Sequence, residues 1–162
     1  AMSAGARMEH VVAGLESVRP VPGRLQLKTA RNGAWLLDDS YNANPSSMRA
    51  GIEVLAQLDG RKWLVLGDMA ELGEFAEDAH AEIGVFAREH GIERLYATGQ
   101  LAALAVETFG AGGQWFPDTT TLAQALDAAA GPDVRMLIKG SRVNRLERVV
   151  EALMSTTAHT AE

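Results

Sequence analysis

Short apolar runs recur along the chain at residues 62–66 (Lys-Trp-Leu-Val-Leu), 94–97 and 134–138 (Val-Arg-Met-Leu-Ile). Longer segments between them carry apolar residues at helical spacing. The runs are too short for buried helices and suit buried strands. Strands that alternate with helices pair in parallel through right-handed crossovers, which lays helices on both faces of one sheet. The expected fold class is therefore α/β, with a mostly parallel sheet.

The first strands break that rhythm. Residues 24–30 alternate, with Leu25 and Leu27 against Gln26 and Lys28, and residues 34–38 form a second strand-like run. Arg31-Asn32-Gly33 lies between them. Asn-Gly between two such runs is a strong hairpin signal, so an antiparallel N-terminal pair is expected. Ahead of it, residues 7–18 carry Met8, Val11, Val12 and Leu15 at helical spacing, and Pro20 and Pro22 close that helix into a linker.

The remaining elements come in order. A helix is expected over residues 45–58, with Asn44 as N-cap and Pro45 in its first turn. Others are expected over 76–90, ended by Gly91, and over 101–109. A short strand is expected at 114–116, and a helix over 121–130 with Thr119 or Thr120 as cap. The last helix, 144–154, carries the stripe Leu146, Val149, Val150, Leu153.

In a parallel sheet, ligands bind outside the carboxyl ends of the strands. Three polar loops lie at such ends. The first is Asp38-Asp39-Ser40-Tyr41-Asn42-Ala43-Asn44-Pro45, the second Gly67-Asp68-Met69-Ala70-Glu71-Leu72-Gly73, and the third Lys139-Gly140-Ser141-Arg142. The first holds more hydrogen-bonding groups than a capped turn needs. In the third, two cations beside a glycine and a hydroxyl suit a carboxylate or phosphate, with Arg142 as bidentate clamp and Lys139 as point charge. His80, in the first turns of a helix, is balanced between a packed residue and a ligand contact.

Other chemistries are excluded. Net charge is −6 and the 15 Lys and Arg are scattered, which does not fit a nucleic-acid binder. Cys is absent, so there is no thiolate site or disulfide framework. No apolar run reaches a membrane span and no signal pattern opens the chain, so a cytoplasmic domain is expected; a monomer is the expected state. The acids Asp68, Glu71, Glu74, Glu77 and Asp78 miss the calcium-loop pattern, because Ala70 and Leu72 fill ligand positions. Gly110-Ala111-Gly112-Gly113 follows a helix and opens none, unlike a dinucleotide fingerprint, and no G-x-x-x-x-G-K-[ST] phosphate loop occurs. The loops converge, but the chain holds no evident engine for chemistry.

Taken together, the three loops, in their order and spacing, with Gly23-Arg24-Leu25 before them, resemble the C-terminal domain of the Mur ligase family. Within that family the resemblance is to the type that adds D-Ala-D-Ala to UDP-MurNAc-tripeptide. It runs from Gly14 onward and implies a Rossmann-like domain over residues 23–162, preceded at 1–22 by the end of a central ATPase domain and a linker. It implies an ATP-dependent amide-bond ligase of peptidoglycan precursor synthesis, whose phosphate loop, carbamylated lysine and Mg2+ ligands lie outside this chain. The fragment alone would be inactive.

The resemblance also implies roles. Asp39, Tyr41, Asn42 and Asn44 would bind nucleotide, with Asp39 at the ribose. Asp68 and Glu71 would meet the ammonium of the incoming dipeptide. Ser141 and Arg142, with Lys139, would hold its carboxylate or the transferred phosphate, and Ser40, Met69 and His80 would complete the substrate pocket. Rival readings are another Mur-type, folylpolyglutamate-type or cyanophycin ligase, or a non-catalytic nucleotide-binding module. The Asp-Asn-Pro-Arg motif expected of a diaminopimelate-adding relative is absent.

Overall fold

The computed structural model describes residues 25–155. The helix expected at 7–18 and the linker after it lie outside the described residues. Six strands form one sheet: β1 (Gln26–Thr29), β2 (Trp35–Asp39), β3 (Arg61–Leu66), β4 (Arg94–Thr98), β5 (Gly113–Phe116) and β6 (Val134–Lys139). Five helices pack on it: α1 (Pro45–Ala56), α2 (Ala76–Glu89), α3 (Ala102–Phe109), α4 (Thr119–Ala129) and α5 (Glu147–Met154). The strand order is β1-β2-β6-β3-β4-β5, and only the β1–β2 pair is antiparallel. The expected fold class holds.

The Asn-Gly signal makes the hairpin. Gly33 takes φ +94°, a region that disfavours side chains. Asn32 Oδ1 accepts the Ala34 N–H at 3.1 Å, and the Ala30 N–H donates to the Ala34 carbonyl at 2.8 Å. Leu27 then faces Leu37 across the pair.

Strand alternation divides the core in two. Leu37, Leu64, Leu66, Leu95, Ala97 and Leu137 face one side, where Met48, Ile52 and Leu55 of α1, Ile83 and Ala87 of α2, and Ala105 and Phe109 of α3 cover them. Leu36, Trp63, Val65, Tyr96, Met136 and Ile138 face the other, under Leu122 and Leu126 of α4 and Val149 and Leu153 of α5. Fully burying such a side chain contributes about 1.5–3 kcal/mol, so patterning and burial agree on one register for each strand.

Helix boundaries follow their caps, with two corrections to the sequence reading. Asn44 caps α1 as expected: its Oδ1 accepts the Ser47 N–H at 2.8 Å, and its own N–H donates to Ser47 Oγ at 3.2 Å. The cap of α4 is Asp118 rather than Thr119 or Thr120. Its carboxylate accepts the Thr121 N–H at 2.7 Å and so takes both earlier threonines into the first turn. The last helix starts later than residue 144. Arg142–Asn144 form a 3-10 turn, Arg145 takes a left-handed φ of +54°, and α5 begins at Glu147. The stripe Leu146, Val149, Val150 and Leu153 is buried as its spacing predicts.

Candidate functional site

The topology brings the three polar loops together. Strand β6, last in sequence, sits between β2 and β3. Asp39, Lys139 and Leu66 lie in one row across these strands, so the chain leaves each at the same level. The 139–142 turn therefore leaves the sheet between the 38–45 loop on one side and the 67–73 loop on the other. Chain order alone would put that turn beyond the other two.

Two glycines allow this closeness. A Cβ on Gly140 would lie 2.8 Å from Gly67 Cα, and one on Gly67 would lie 2.7 Å from Asn144 Oδ1. The two backbones pass in contact, and the Asn144 amide closes over them.

Several residues picked out in the sequence serve as braces. Lys139 Nζ donates to Asp39 Oδ2 at 2.7 Å and to the Asn42 carbonyl at 3.0 Å, and the Lys139 and Asp39 side chains are almost fully buried. The cation expected to face an anion thus faces Asp39, and the acid expected at a ribose faces Lys139. Ser40 is buried too. Its hydroxyl donates to Asp38 Oδ1 at 2.6 Å, while Asp38 Oδ2 accepts from Lys28 Nζ at 2.7 Å.

The second loop is pinned in the same way. Asp68 Oδ1 accepts the Ala102 N–H at the start of α3, at 2.7 Å. The Asp68 carbonyl accepts the Ser141 N–H at 2.9 Å and so ties this loop to the central turn. The Met69 N–H donates to His80 Nε2 at 2.8 Å, and His80 Nδ1 lies 2.6 Å from the Ala76 carbonyl. Because Nε2 accepts, the hydrogen sits on Nδ1 and the ring is in its neutral tautomer. Met69 and His80 are fully buried. Both of His80's nitrogens are engaged by backbone, so it presents no polar atom to a ligand. Met69 likewise gives its side chain to the core.

The groups that face solvent on this edge are fewer. Tyr41, Asn42, Asn44, Glu71 and Arg142 are exposed. The Arg142 guanidinium lies 5.5 Å from the centre of the Tyr41 ring, within cation–π range, and 3.7 Å from Glu147 Oε2. Asn42 Oδ1 caps its own loop by accepting the Ala43 N–H at 2.8 Å. Glu71 adopts φ +64°, a conformation that costs a non-glycine residue energy and concentrates at functional loops. Among the described residues, buried Ser141 Oγ has no hydrogen-bond partner, and neither have Asn144 Oδ1 and Glu147 Oε1.

Beyond Arg142 lies a part of the site that sequence reading missed. Thr98, Gly99, Asp118, Asn144, Arg145 and Arg148 line a cleft of about 300 Å³ that continues along the carboxyl edge. The Thr121 N–H and hydroxyl hold the Asp118 carboxyl below the usual carboxylate range. Residues 144–148 fall at the expected start of the last helix, and the 3-10 turn at Arg142–Asn144 instead brings Asn144 and Arg145 to the cleft. Among the described residues, no three His, Asp or Glu side chains are grouped to hold a metal, and no helix is long and apolar enough to cross a membrane.

Known proteins resemble this chain in sequence and fold. Residues 23–142 match the family described as Mur ligase, glutamate ligase domain. The UDP-N-acetylmuramoyl-tripeptide–D-alanyl-D-alanine ligase of Escherichia coli (strain K12) is 41% identical over 154 residues, covering 94% of this chain and 34% of that protein. A crystal structure of MurF from Acinetobacter baumannii superposes with a TM-score of 0.76 at 32% identity, covering 93% of this chain and 34% of that one. A MurF ligase from Thermotoga maritima, solved in complex with ADP, superposes with a TM-score of 0.73 at 29% identity, covering 83% of this chain and 31% of that one. The chain thus spans about a third of the length of these relatives.

Proposed function

The chain belongs to the Mur ligase family, through its glutamate ligase domain, and from that premise we propose that it is the C-terminal, substrate-binding domain of an ATP-dependent ligase joining D-Ala-D-Ala to UDP-MurNAc-tripeptide. The observation that carries the reading is the row of Asp39, Lys139 and Leu66, from which three polar loops leave one edge of the sheet side by side. The reading assigns residues 1–22 to the end of a central ATPase domain and the reaction to the cytoplasm.

In this reading ATP phosphorylates the tripeptide carboxylate. The dipeptide's amine nitrogen attacks the acyl carbon, a C–N bond forms, phosphate leaves, and the amine gives up a proton. The products are UDP-MurNAc-pentapeptide, ADP and phosphate. Mg2+ would offset charge on the phosphates and is assigned to ligands outside this chain. The residues here bind and orient, and closure of the domain keeps water from the acyl phosphate.

Roles follow exposure and charge. Arg142 clamps the dipeptide carboxylate, with Ser141 beside it. Glu71 receives the ammonium, while Asp68 holds the loop that carries it. Tyr41, Asn42 and Asn44 line the nucleotide side, and the Asp39–Lys139 pair fixes that wall. The test is steady-state kinetics of the full-length enzyme. Arg142→Ala should raise the KM for D-Ala-D-Ala by about 10- to 100-fold, the range for loss of a charge-assisted bidentate contact. Unchanged KM and kcat with the dipeptide would refute the clamp.

A further inference from the structure

We infer that His80 is a positioning residue, which sets the backbone of the 67–73 loop and, through it, the backbone that presents Arg142. Met69 lies three residues past the end of β3 and is fully buried, so its N–H needs a partner inside the protein. His80 Nε2 supplies it at 2.8 Å. The bond from Nδ1 to the Ala76 carbonyl at 2.6 Å, one helical turn back, fixes the plane of the ring. Helix α2 thereby holds the loop at one height above the sheet.

The loop passes that position on. Met69's neighbour Asp68 accepts the Ser141 N–H on its carbonyl at 2.9 Å and the Ala102 N–H on its carboxylate at 2.7 Å. Gly99 leaves room for this carboxylate, since a Cβ there would lie 2.5 Å from Asp68 Oδ1. A continuous chain of contacts thus runs from Ala76 through His80, Met69–Asp68 and Ser141 to the residue next to it, Arg142. A histidine kept only for packing would be replaceable by leucine. One kept for its acceptor would be replaceable only by a side chain that accepts at the same place. Glutamine does so, since its Oε1 reaches the position of Nε2.

The structural part of this inference stands without any assigned activity; its kinetic part rests on the ligase reading above. In the uniformly 15N-labelled chain, a scalar coupling across the hydrogen bond should join Met69 N to His80 Nε2, and its absence would overturn the inference. His80→Leu should speed amide exchange at both Met69 and Ser141 at least about tenfold, as expected for loss of a buried bond, while β4 amides keep their wild-type rates. His80→Gln should bring both amides back toward wild type. Wild-type exchange at Ser141 in His80→Leu, or no recovery in His80→Gln, would overturn it. Should His80→Leu fail to fold, the coupling and the His80→Gln variant decide. In the full-length enzyme, His80→Leu should raise the KM for D-Ala-D-Ala about tenfold with kcat changed far less, and His80→Gln should restore it. A wild-type enzyme inactive with D-Ala-D-Ala would refute the ligase reading, and the exchange data would still decide the role of His80.

Discussion

Replacing Lys139 with methionine should destabilise the domain at the base of the 38–45 loop. The substitution nearly keeps length and removes the charge, leaving Asp39 buried. The Asp39 and Lys139 side chains are 8% and 3% exposed and their charged atoms lie 2.7 Å apart, so water reaches neither side chain freely. Taking one partner from a buried ion pair typically costs about 3–5 kcal/mol, most of it the cost of an uncompensated charge. Lys139 Nζ also holds the Asn42 carbonyl, which would lose a charge-assisted bond in the same step. For a domain of this size each kcal/mol lowers Tm by roughly 2–4 °C, so Lys139→Met should melt about 6–20 °C below wild type. Asp39→Asn should recover part of the loss when added to Lys139→Met, because the remaining amide is neutral. Calorimetry and urea unfolding of the two single variants and the double variant measure the coupling. A Lys139→Met variant within about 1 kcal/mol of wild type, the value of a surface pair, would refute this account of the pair.

Other perturbations reach the same framework. Gly140→Ala places a Cβ 2.8 Å from both Gly67 Cα and Leu146 Cδ1, so urea unfolding should show a loss of about 1–3 kcal/mol and NMR should show shifts at Gly67. Asn44→Ala removes the reciprocal cap of α1 and should cost about 0.5–2 kcal/mol, read by chemical denaturation. Glu93 accepts from Trp63 Nε1 at 2.9 Å and from Arg61 Nε at 3.0 Å, and the Trp63 bond, then Arg61, hold its carboxyl below its ordinary value. A depressed folded-state value gives stability that is complete above the ordinary carboxylate pKa and is lost as pH falls through the folded one. Glu93→Gln should therefore flatten the acid limb of stability below about pH 5, by a small amount because the group is exposed and screened.

Local chemistry was legible in the sequence, and distant pairing was not. The apolar runs, the Asn-Gly hairpin and the Asn44 cap are each decided by a few neighbouring residues, and the structure keeps them. Strand order depends on which runs meet across the whole chain. Nothing near residues 134–139 announces that β6 inserts between β2 and β3, although that insertion sets the 139–142 turn between the other two polar loops. The Lys139–Asp39 contact spans 100 residues, so both charges looked available to a ligand when read separately. His80 stayed balanced between packing and ligand contact for the same reason, since its partner is a backbone N–H 11 residues earlier in another loop. At the start of α4, one Asp and three consecutive Thr all suit a cap, and only geometry selects Asp118. Arg145 gave no signal for a left-handed turn, which glycine or asparagine would have supplied, so the cleft beyond Arg142 stayed hidden.

Amine selectivity in the full-length enzyme that carries this domain decides whether it is a D-Ala-D-Ala ligase. Purified protein is given ATP, Mg2+ and UDP-MurNAc-tripeptide, with D-Ala-D-Ala or single amino acids offered as competing amines, and products are identified by mass spectrometry. The account predicts UDP-MurNAc-pentapeptide with one ADP and one phosphate per amide, and a specific loss of dipeptide turnover in Arg142→Ala. Turnover with a single amino acid in place of the dipeptide, or dipeptide turnover indifferent to Arg142→Ala, would contradict it.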